Sequence, residues 1–395
     1  MLVKQTEISQ EADRCVKCGL CLPHCPTYKL TQDESDSPRG RIALIQAVAN
    51  DQLDIADAQF HLDRCLSCRA CEAACPSGVK YGKLIDGIRT YQAQNLSTKI
   101  SNLLISTLSY KRATSSLLKH YLDSPLRPLV RRLGSKQLRR MDDRLPDQIT
   151  PPIKPRTTSA PKGAIAFFTG CVSNLVDQQI IEASIRVLEH CGYQVMIPDQ
   201  QGCCGAIHLH NGDTARAKQL GQNNRKAFNS LEVEAIINCV SGCGAQLQEY
   251  DQIGTPLPHP VMDISDFLIQ HQAITPQQLR PLDQTVLLHT PCTLKNVVGA
   301  ADSPGQLLAL IPELTVIPLP LNDCCGAAGS FMLSQPDLAD RLREPFIQSI
   351  KEQQPDIIAT SNTGCAMHLR AGTHAAGLTT SIQHPIELIA QQLID

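Results

Sequence analysis

Two copies of one cysteine run govern what the first part of this chain can fold into. They are Cys15-x2-Cys18-x2-Cys21-x3-Cys25-Pro26 and Cys65-x2-Cys68-x2-Cys71-x3-Cys75-Pro76. Three thiolates spaced two apart can wrap one cubane, while the fourth thiolate of such a run points at the other cluster. The spacing therefore predicts that Cys15, Cys18, Cys21 and Cys75 hold one [4Fe–4S] cluster, and that Cys65, Cys68, Cys71 and Cys25 hold a second. Structural zinc is the competing reading. It favours paired C-x2-C units with tetrahedral closure, a pattern that two complete four-cysteine runs ending in Pro do not follow. A helix is predicted between the runs from near Gly40, with Ile42, Ile45, Val48 and Ala49 on one face.

The chain has eighteen cysteines in 395 residues. A secreted disulfide scaffold would need a signal peptide, and Met1–Asp13 is polar with no apolar h-region. No stretch approaches the roughly 18 consecutive apolar residues of a membrane span. A cytoplasmic location is expected, where clustered cysteines bind metal or do redox work. The length fits two or three domains. A net charge of −2, with 4% aromatics and no Trp, gives no footing for nucleic acid.

Residues 163–395 contain an internal duplication. Cys171, Cys203 and Cys204 recur 121 residues later as Cys292, Cys324 and Cys325, and Cys243 recurs 122 residues later as Cys365. Gly202-Cys-Cys-Gly-Ala206 is answered by Asp323-Cys-Cys-Gly-Ala327, and Ser241-Gly-Cys243 by Thr363-Gly-Cys365. Each copy alternates apolar runs with amphipathic stretches. In the first, strands are predicted at Ala164–Phe168, Tyr193–Ile197 and Ala235–Val240, and helices at Val176–His190 and Thr214–Leu231. In the second, strands are predicted at Val286–His289, Leu314–Pro318 and Ile357–Thr360. Strand–helix–strand alternation implies parallel sheets covered by helices, and ligands of such sheets bind outside the carboxyl ends of the strands. Cys171, Cys243, Cys292 and Cys365 each follow a predicted strand, so the repeated cysteines should converge on one crevice per copy.

Adjacent cysteines do not make an ordinary tetrahedral corner. Gly205 and Gly326 beside them permit a positive φ or close backbone approach. Thiolates gathered from several strand ends suit a soft metal or an iron–sulfur cluster. The alternatives are buried cysteines acting as small hydrophobes, or a redox disulfide. Cys191 and Cys239 have no counterparts and read as core. His208, His210, His289 and His368 lie near the crevices, where a histidine either tunes sulfur or is satisfied elsewhere. There is no G-x-G-x-x-G, P-loop or Ser/His/Asp arrangement, so no flavin, nicotinamide or nucleotide site is expected on this chain.

Residues 101–156 have no cysteine and carry twelve Lys/Arg against four Asp and no Glu, a net +8. An amphipathic helix (Leu103, Leu104, Leu108, Leu117, Leu118) is predicted to open the segment, and Pro151–Pro155 to close it as a linker. It reads as a solvated connector, or as a surface for an acidic partner or anionic lipid headgroups.

This layout resembles the iron–sulfur subunit of glycolate oxidase (glycolate dehydrogenase), in which a two-cluster ferredoxin module precedes two cysteine-rich CCG domains. The matching strings are Cys25-Pro-Thr-Tyr-Lys-Leu30, Ser37-Pro-Arg-Gly-Arg-Ile42, Leu62-Asp-Arg-Cys65, Cys75-Pro-Ser-Gly-Val79, Gly202-Cys-Cys-Gly-Ala206, Ser241-Gly-Cys-Gly244, Pro291-Cys-Thr-Leu294 and Cys324-Cys-Gly-Ala-Ala-Gly329. The resemblance implies a multidomain α+β and α/β chain. A mostly helical two-cluster domain would span 1–90, a basic helical segment and linker 91–160, and duplicated α/β domains with parallel sheets 161–280 and 281–395. It implies two [4Fe–4S] clusters with up to two more in the CCG domains, an FAD-containing 2-hydroxyacid dehydrogenase subunit as partner, and onward electron transfer to membrane quinone or another acceptor. Peripheral attachment to the cytoplasmic face of the inner membrane would follow. The iron–sulfur chains of lactate and anaerobic glycerol-3-phosphate dehydrogenases share the domain order and are the alternatives. A heterodisulfide-reductase-type catalytic subunit is another, but its CCG domains end in C-x2-C. Here the first copy offers Cys239-x3-Cys243, and the second has Asn362 where the earlier cysteine would stand. Four thiolates per copy are what this sequence supplies.

Overall fold

The computed structural model describes residues 5–92, 111–146, 155, 162–321 and 323–394. Its frame is a pair of four-stranded parallel sheets of the same topology. Strands β1 (Gly163–Phe168), β2 (Tyr193–Met196), β3 (Ile236–Asn238) and β4 (Val261–Asp263) lie in the order β2-β1-β3-β4. Strands β5 (Thr285–His289), β6 (Thr315–Pro318), β7 (Ile357–Thr360) and β8 (Ser381–Gln383) lie in the order β6-β5-β7-β8. The sequence duplication is thus a structural one.

Period-two alternation sets the two faces of each sheet. Ile165 and Phe167 on β1, like Val286 and Leu288 on β5, face one core shared by both copies. The helices Gln178–His190, Ile264–Gln270, Ser303–Leu308 and Pro385–Gln392 fill this core between the sheets. The opposite faces pack under separate helices, Thr214–Asn229 on the first sheet and Pro336–Gln353 on the second. Each fully buried Leu, Ile or Phe in these layers contributes roughly 1.5–3 kcal/mol. The predicted helix Val176–His190 forms as Gln178–His190, preceded by a short helix Ser173–Val176; between them the Asp177 carboxylate accepts from the Thr363 hydroxyl of the second copy.

The N-terminal part is helical and has its own core of Ile8, Ile42, Ile45, Leu62, Leu84 and Ile85. Its predicted central helix spans Pro38–Ala49. Ser37 is the N-cap, accepting from Gly40 N at 2.9 Å, and Pro38 supplies a preset φ at the first position. Gly40 is obligatory there, since a Cβ would fall 1.9 Å from the Glu34 carbonyl oxygen. The module binds both copies. Lys29 pairs with Asp323 at 2.8 Å, Arg69 with Glu249 at 3.0 Å, and His210 Nδ1 with Asp86 at 2.9 Å. In the basic segment the helices are Lys111–Leu122, Leu126–Leu133 and Lys136–Asp142. Of the predicted amphipathic stretch, Leu103, Leu104 and Leu108 lie outside the described residues. Leu117 stands exposed.

Candidate iron–sulfur sites

The two cysteine runs wind as matched loops. Lys17 and Ser67 take left-handed φ of 56° and 50°, and Gly19 and Arg69 take 85° and 62°. Glycine adopts that conformation freely, whereas a side chain there costs of order 1–3 kcal/mol. At Arg69 the cost is offset by ion pairs to Glu72 (2.7 Å) and Glu249 (3.0 Å). These turns carry the thiols to two adjoining cavities. One is lined by Cys15, Cys18, Cys21 and Cys75, and the other by Cys25, Cys65 and Cys68. Cys71 lines both. Cys75 of the second run thus lines a cavity with Cys15, Cys18 and Cys21 of the first, and Cys25 of the first run one with Cys65 and Cys68 of the second.

Donors converge on these sulfurs. Ser67 N donates to Cys65 Sγ at 3.4 Å, the Tyr81 hydroxyl reaches the same sulfur at 3.8 Å, and Thr27 Oγ1 lies 3.3 Å from Cys25 Sγ. Burial dominates the acid–base behaviour, pushing the Cys21 thiol up to about 11 and the Cys68 and Cys71 thiols well above their ordinary value. Thiols so buried need a bound cation to ionise, and coordination to metal deprotonates them. Four or more cysteines lining each cavity, with an amide and a hydroxyl donor at Cys65, fit iron–sulfur clusters better than a hard oxygen-seeking cation.

A buried network backs the second cavity. Arg41 is 1% exposed. It donates to His61 O at 2.7 Å and Thr27 Oγ1 at 3.1 Å, and pairs with Asp36 at 3.4 Å. Asp36, fully buried, also pairs with Arg64 at 2.9 Å. Burial alone would lower the Arg41 pKa, but Tyr81, Cys65, Cys25 and Asp36 around it hold it above its usual range. Sequence reasoning gave Arg41 no role beyond its place in a family string, because one charged residue on a helix ordinarily faces water.

Each repeat gathers its four thiols at the carboxyl edge of its sheet. Cys171 and Cys292 follow β1 and β5, and the adjacent pairs follow β2 and β6. Cys243 and Cys365 lie in the first turns of the helices Ser241–Gln248 and Thr363–Ala375. In the first crevice sulfur contacts run from Cys171 to Cys203 to Cys204, and Cys204 Sγ lies 3.5 Å from Cys243 Sγ. In the second they run from Cys292 to Cys324 to Cys325, with Cys325 Sγ 3.2 Å from Cys365 Sγ. Gly205 and Gly326 have φ of +86° and +87°, and a Cβ on either would press on the helix behind it, at Ala217 or Ala339.

The second crevice adjoins the N-terminal module. Leu66 and Cys68 belong to the same buried cluster as Cys324, Cys325 and Cys365. The charges of Cys292 and Cys324 act on Cys68, and Asn296 Nδ2 donates to Cys68 O at 2.8 Å. The crevices adjoin each other through Ser241 Oγ, 2.8 Å from Thr293 Oγ1 and 3.0 Å from Asn362 Nδ2. Cys191 and Cys239 lie in the shared core, away from these sites. Of the histidines, His210 is held by Asp86, and His368 by Ala339 O (3.1 Å) and Arg343 (3.3 Å). His208 is buried with its Nδ1 3.7 Å from Asp213. His289 stands against the thiols of its crevice.

The sequence matches the family described as a 4Fe-4S dicluster domain over residues 11–79, and that described as a cysteine-rich domain twice, over 165–248 and 286–370. It is 32% identical to the "Glycolate oxidase iron-sulfur subunit" of Escherichia coli strain K12, over 99% of this chain and 97% of the relative. It is 31% identical to the "Probable glycolate oxidase iron-sulfur subunit" of Bacillus subtilis strain 168, over 96% and 94%. At 25% identity, over 97% and 94%, it is similar to one chain of the dihydromethanophenazine:CoB--CoM heterodisulfide reductase of Methanosarcina barkeri. The cysteine-lined cavities, the duplicated crevices and this end-to-end similarity have one meaning: the chain is an iron–sulfur, electron-transferring component of an oxidoreductase and belongs to the glycolate oxidase iron–sulfur subunit family.

Proposed function

We propose that this chain is the electron-carrying subunit of a flavin-dependent glycolate dehydrogenase, with glycolate oxidised to glyoxylate on a separate FAD-containing subunit and quinone as the acceptor. The observation that carries the reading is the continuity of the thiol-lined sites. Cys71 lines both N-terminal cavities, and Cys68 of the second cavity packs into the cluster that contains Cys324, Cys325 and Cys365. Cys15, Cys18, Cys21 and Cys75 would hold one [4Fe–4S] cluster, and Cys25, Cys65, Cys68 and Cys71 the other. Cys171, Cys203, Cys204 and Cys243, and Cys292, Cys324, Cys325 and Cys365, would hold iron–sulfur groups in the crevices. Such clusters supply one-electron transfer at potentials set by their surroundings. The protein's part is to keep the thiols close, dry and hydrogen-bonded. Cys18 is the exposed thiol of the eight N-terminal cysteines and marks the end of the series that a partner can approach.

The test is reconstitution. The partner flavoprotein with this chain should reduce a quinone analogue on addition of glycolate, and the flavoprotein without it should not. Equal quinone reduction in its absence would end the proposal.

The basic helices support delivery to a membrane acceptor. Leu117, Leu126, Leu129, Leu133 and Leu138 are 50–73% exposed, and Lys119, Arg132 and Arg139 stand exposed among them. No helix among the described residues is long and apolar enough to cross a membrane. An apolar stripe flanked by cations fits the surface of an anionic bilayer. Burying a leucine contributes roughly 1.5–3 kcal/mol. Leu129→Glu with Leu133→Glu is therefore expected to weaken binding to phosphatidylglycerol vesicles at least about tenfold, with the iron content unchanged. Undiminished vesicle binding would remove these helices from the membrane contact.

A further inference from the structure

The second crevice contains a donor, His289, at a strand end where the first has Phe168. His289 ends β5 and is the register partner of Thr360, the last residue of β7. It lies two residues from Leu287, on the face of the sheet that packs against Cys324, Cys325 and Cys365. A ring nitrogen of His289, Cys325 Sγ and Cys365 Sγ all lie within 4.8 Å of one another. Its Nδ1 is 2.8 Å from the Thr360 hydroxyl, and Phe346 meets the ring edge-on with centroids 5.6 Å apart. The imidazole is 2% exposed, so its orientation is fixed and water is kept away.

We propose that His289 is a nitrogen ligand of the metal group bound in the second crevice, completing a donor set with Cys292, Cys324, Cys325 and Cys365. The inference rests on the reading that this crevice binds an iron–sulfur group, and three further observations support it. A ligating histidine almost always gives its other ring N–H to an oxygen that fixes the tautomer. With Nδ1–H donating to Thr360 Oγ1, the Nε2 lone pair is the one left for metal. Second, the position where a C-x2-C ending would supply another thiolate is Asn362. Its side chain is spent on capping, accepting from Cys365 N at 3.2 Å, and on donating to Ser241. Third, the residue of the first copy that corresponds to His289 is Phe168, which has no donor atom. The duplicated crevices therefore differ at this strand end, an imidazole in the second standing where the first has a phenyl ring.

The test uses the complex purified without oxygen from cells grown with ¹⁵N-histidine. Pulsed EPR of the reduced protein should show a directly coordinated nitrogen whose coupling changes with the isotope. His289→Phe should abolish that coupling, while the signals of the N-terminal clusters stay unchanged. His289→Cys, which restores a soft donor, should retain iron without the nitrogen coupling and guards against a variant that fails to fold. Crevice iron without histidine coupling in the parent, or coupling that survives in His289→Phe, overturns the ligand. If Cys325→Ser leaves iron and sulfide contents unchanged, the crevice binds no cluster, and the underlying reading falls with the proposal.

Discussion

Cys68→Ser is expected to cost the complex about 100-fold or more of its quinone reduction and to remove iron and sulfide from the second N-terminal cavity. Even outer-shell partners of a metal site are worth roughly 10–100-fold, and Cys68 lines the cavity itself. Its thiol is also the contact with the second crevice, since Leu66 and Cys68 pack into the cluster holding Cys324, Cys325 and Cys365. Serine offers a hard, poorly ionised oxygen in a site whose burial already opposes thiolate formation. Two effects therefore coincide at one position, loss of a ligand and loss of the bridge to the next site. Cys191→Ser is the control, being buried in the shared core away from the sites. Iron, acid-labile sulfide and quinone reduction measured side by side make the comparison. A Cys68→Ser complex working at the parent rate would take the N-terminal module off the electron path.

The second large effect is on stability. Arg41→Ala leaves Asp36 buried with one fewer cation and strips donors from His61 O and Thr27 Oγ1. Removing one member of a buried ion pair costs about 3–5 kcal/mol. Arg41→Lys should recover little, because one ammonium cannot reproduce the planar fork that serves three acceptors. The network also backs the cavity, with Thr27 Oγ1 touching Cys25 Sγ, so iron retention should fall along with the midpoint of denaturant unfolding. A loss of less than about 1 kcal/mol, little more than an ordinary surface substitution costs, would mean that Asp36 is satisfied by Arg64 and His61 without Arg41.

Much of this was legible because spacing survives folding. The two C-x2-C-x2-C-x3-C-P runs anticipate the two cavities, and the 121-residue recurrence of Cys171, Cys203 and Cys204 anticipates two sheets of one topology with thiols at their carboxyl edges. The apolar runs around Ile165, Ile237, Leu287 and Ile358 mark the central strands, which are buried on both faces. Strands β4 and β8 lack the apolar run that marks the equally short β3, since they lie at the sheet edges and are only partly buried. Contacts across long separations also carry no local signal. Arg69 finds Glu249 180 residues away, and Cys68 meets Asn296, beside the second crevice, 228 residues on. The Arg41–Asp36 network was hidden for a different reason, since charge in a sequence reads as surface and only packing shows that it is buried. His289 was noted near its crevice, but its register with Thr360 is a property of the sheet.

The most direct test is the EPR spectrum of the tagged chain, purified without oxygen together with whatever accompanies it, before and after glycolate is added. Reduced iron–sulfur signals are expected on adding glycolate, absent with lactate or glycerol 3-phosphate and lost in Cys68→Ser for the second N-terminal cluster. Signals that dithionite produces and glycolate does not would contradict the proposed function, leaving an electron carrier that serves a different dehydrogenase.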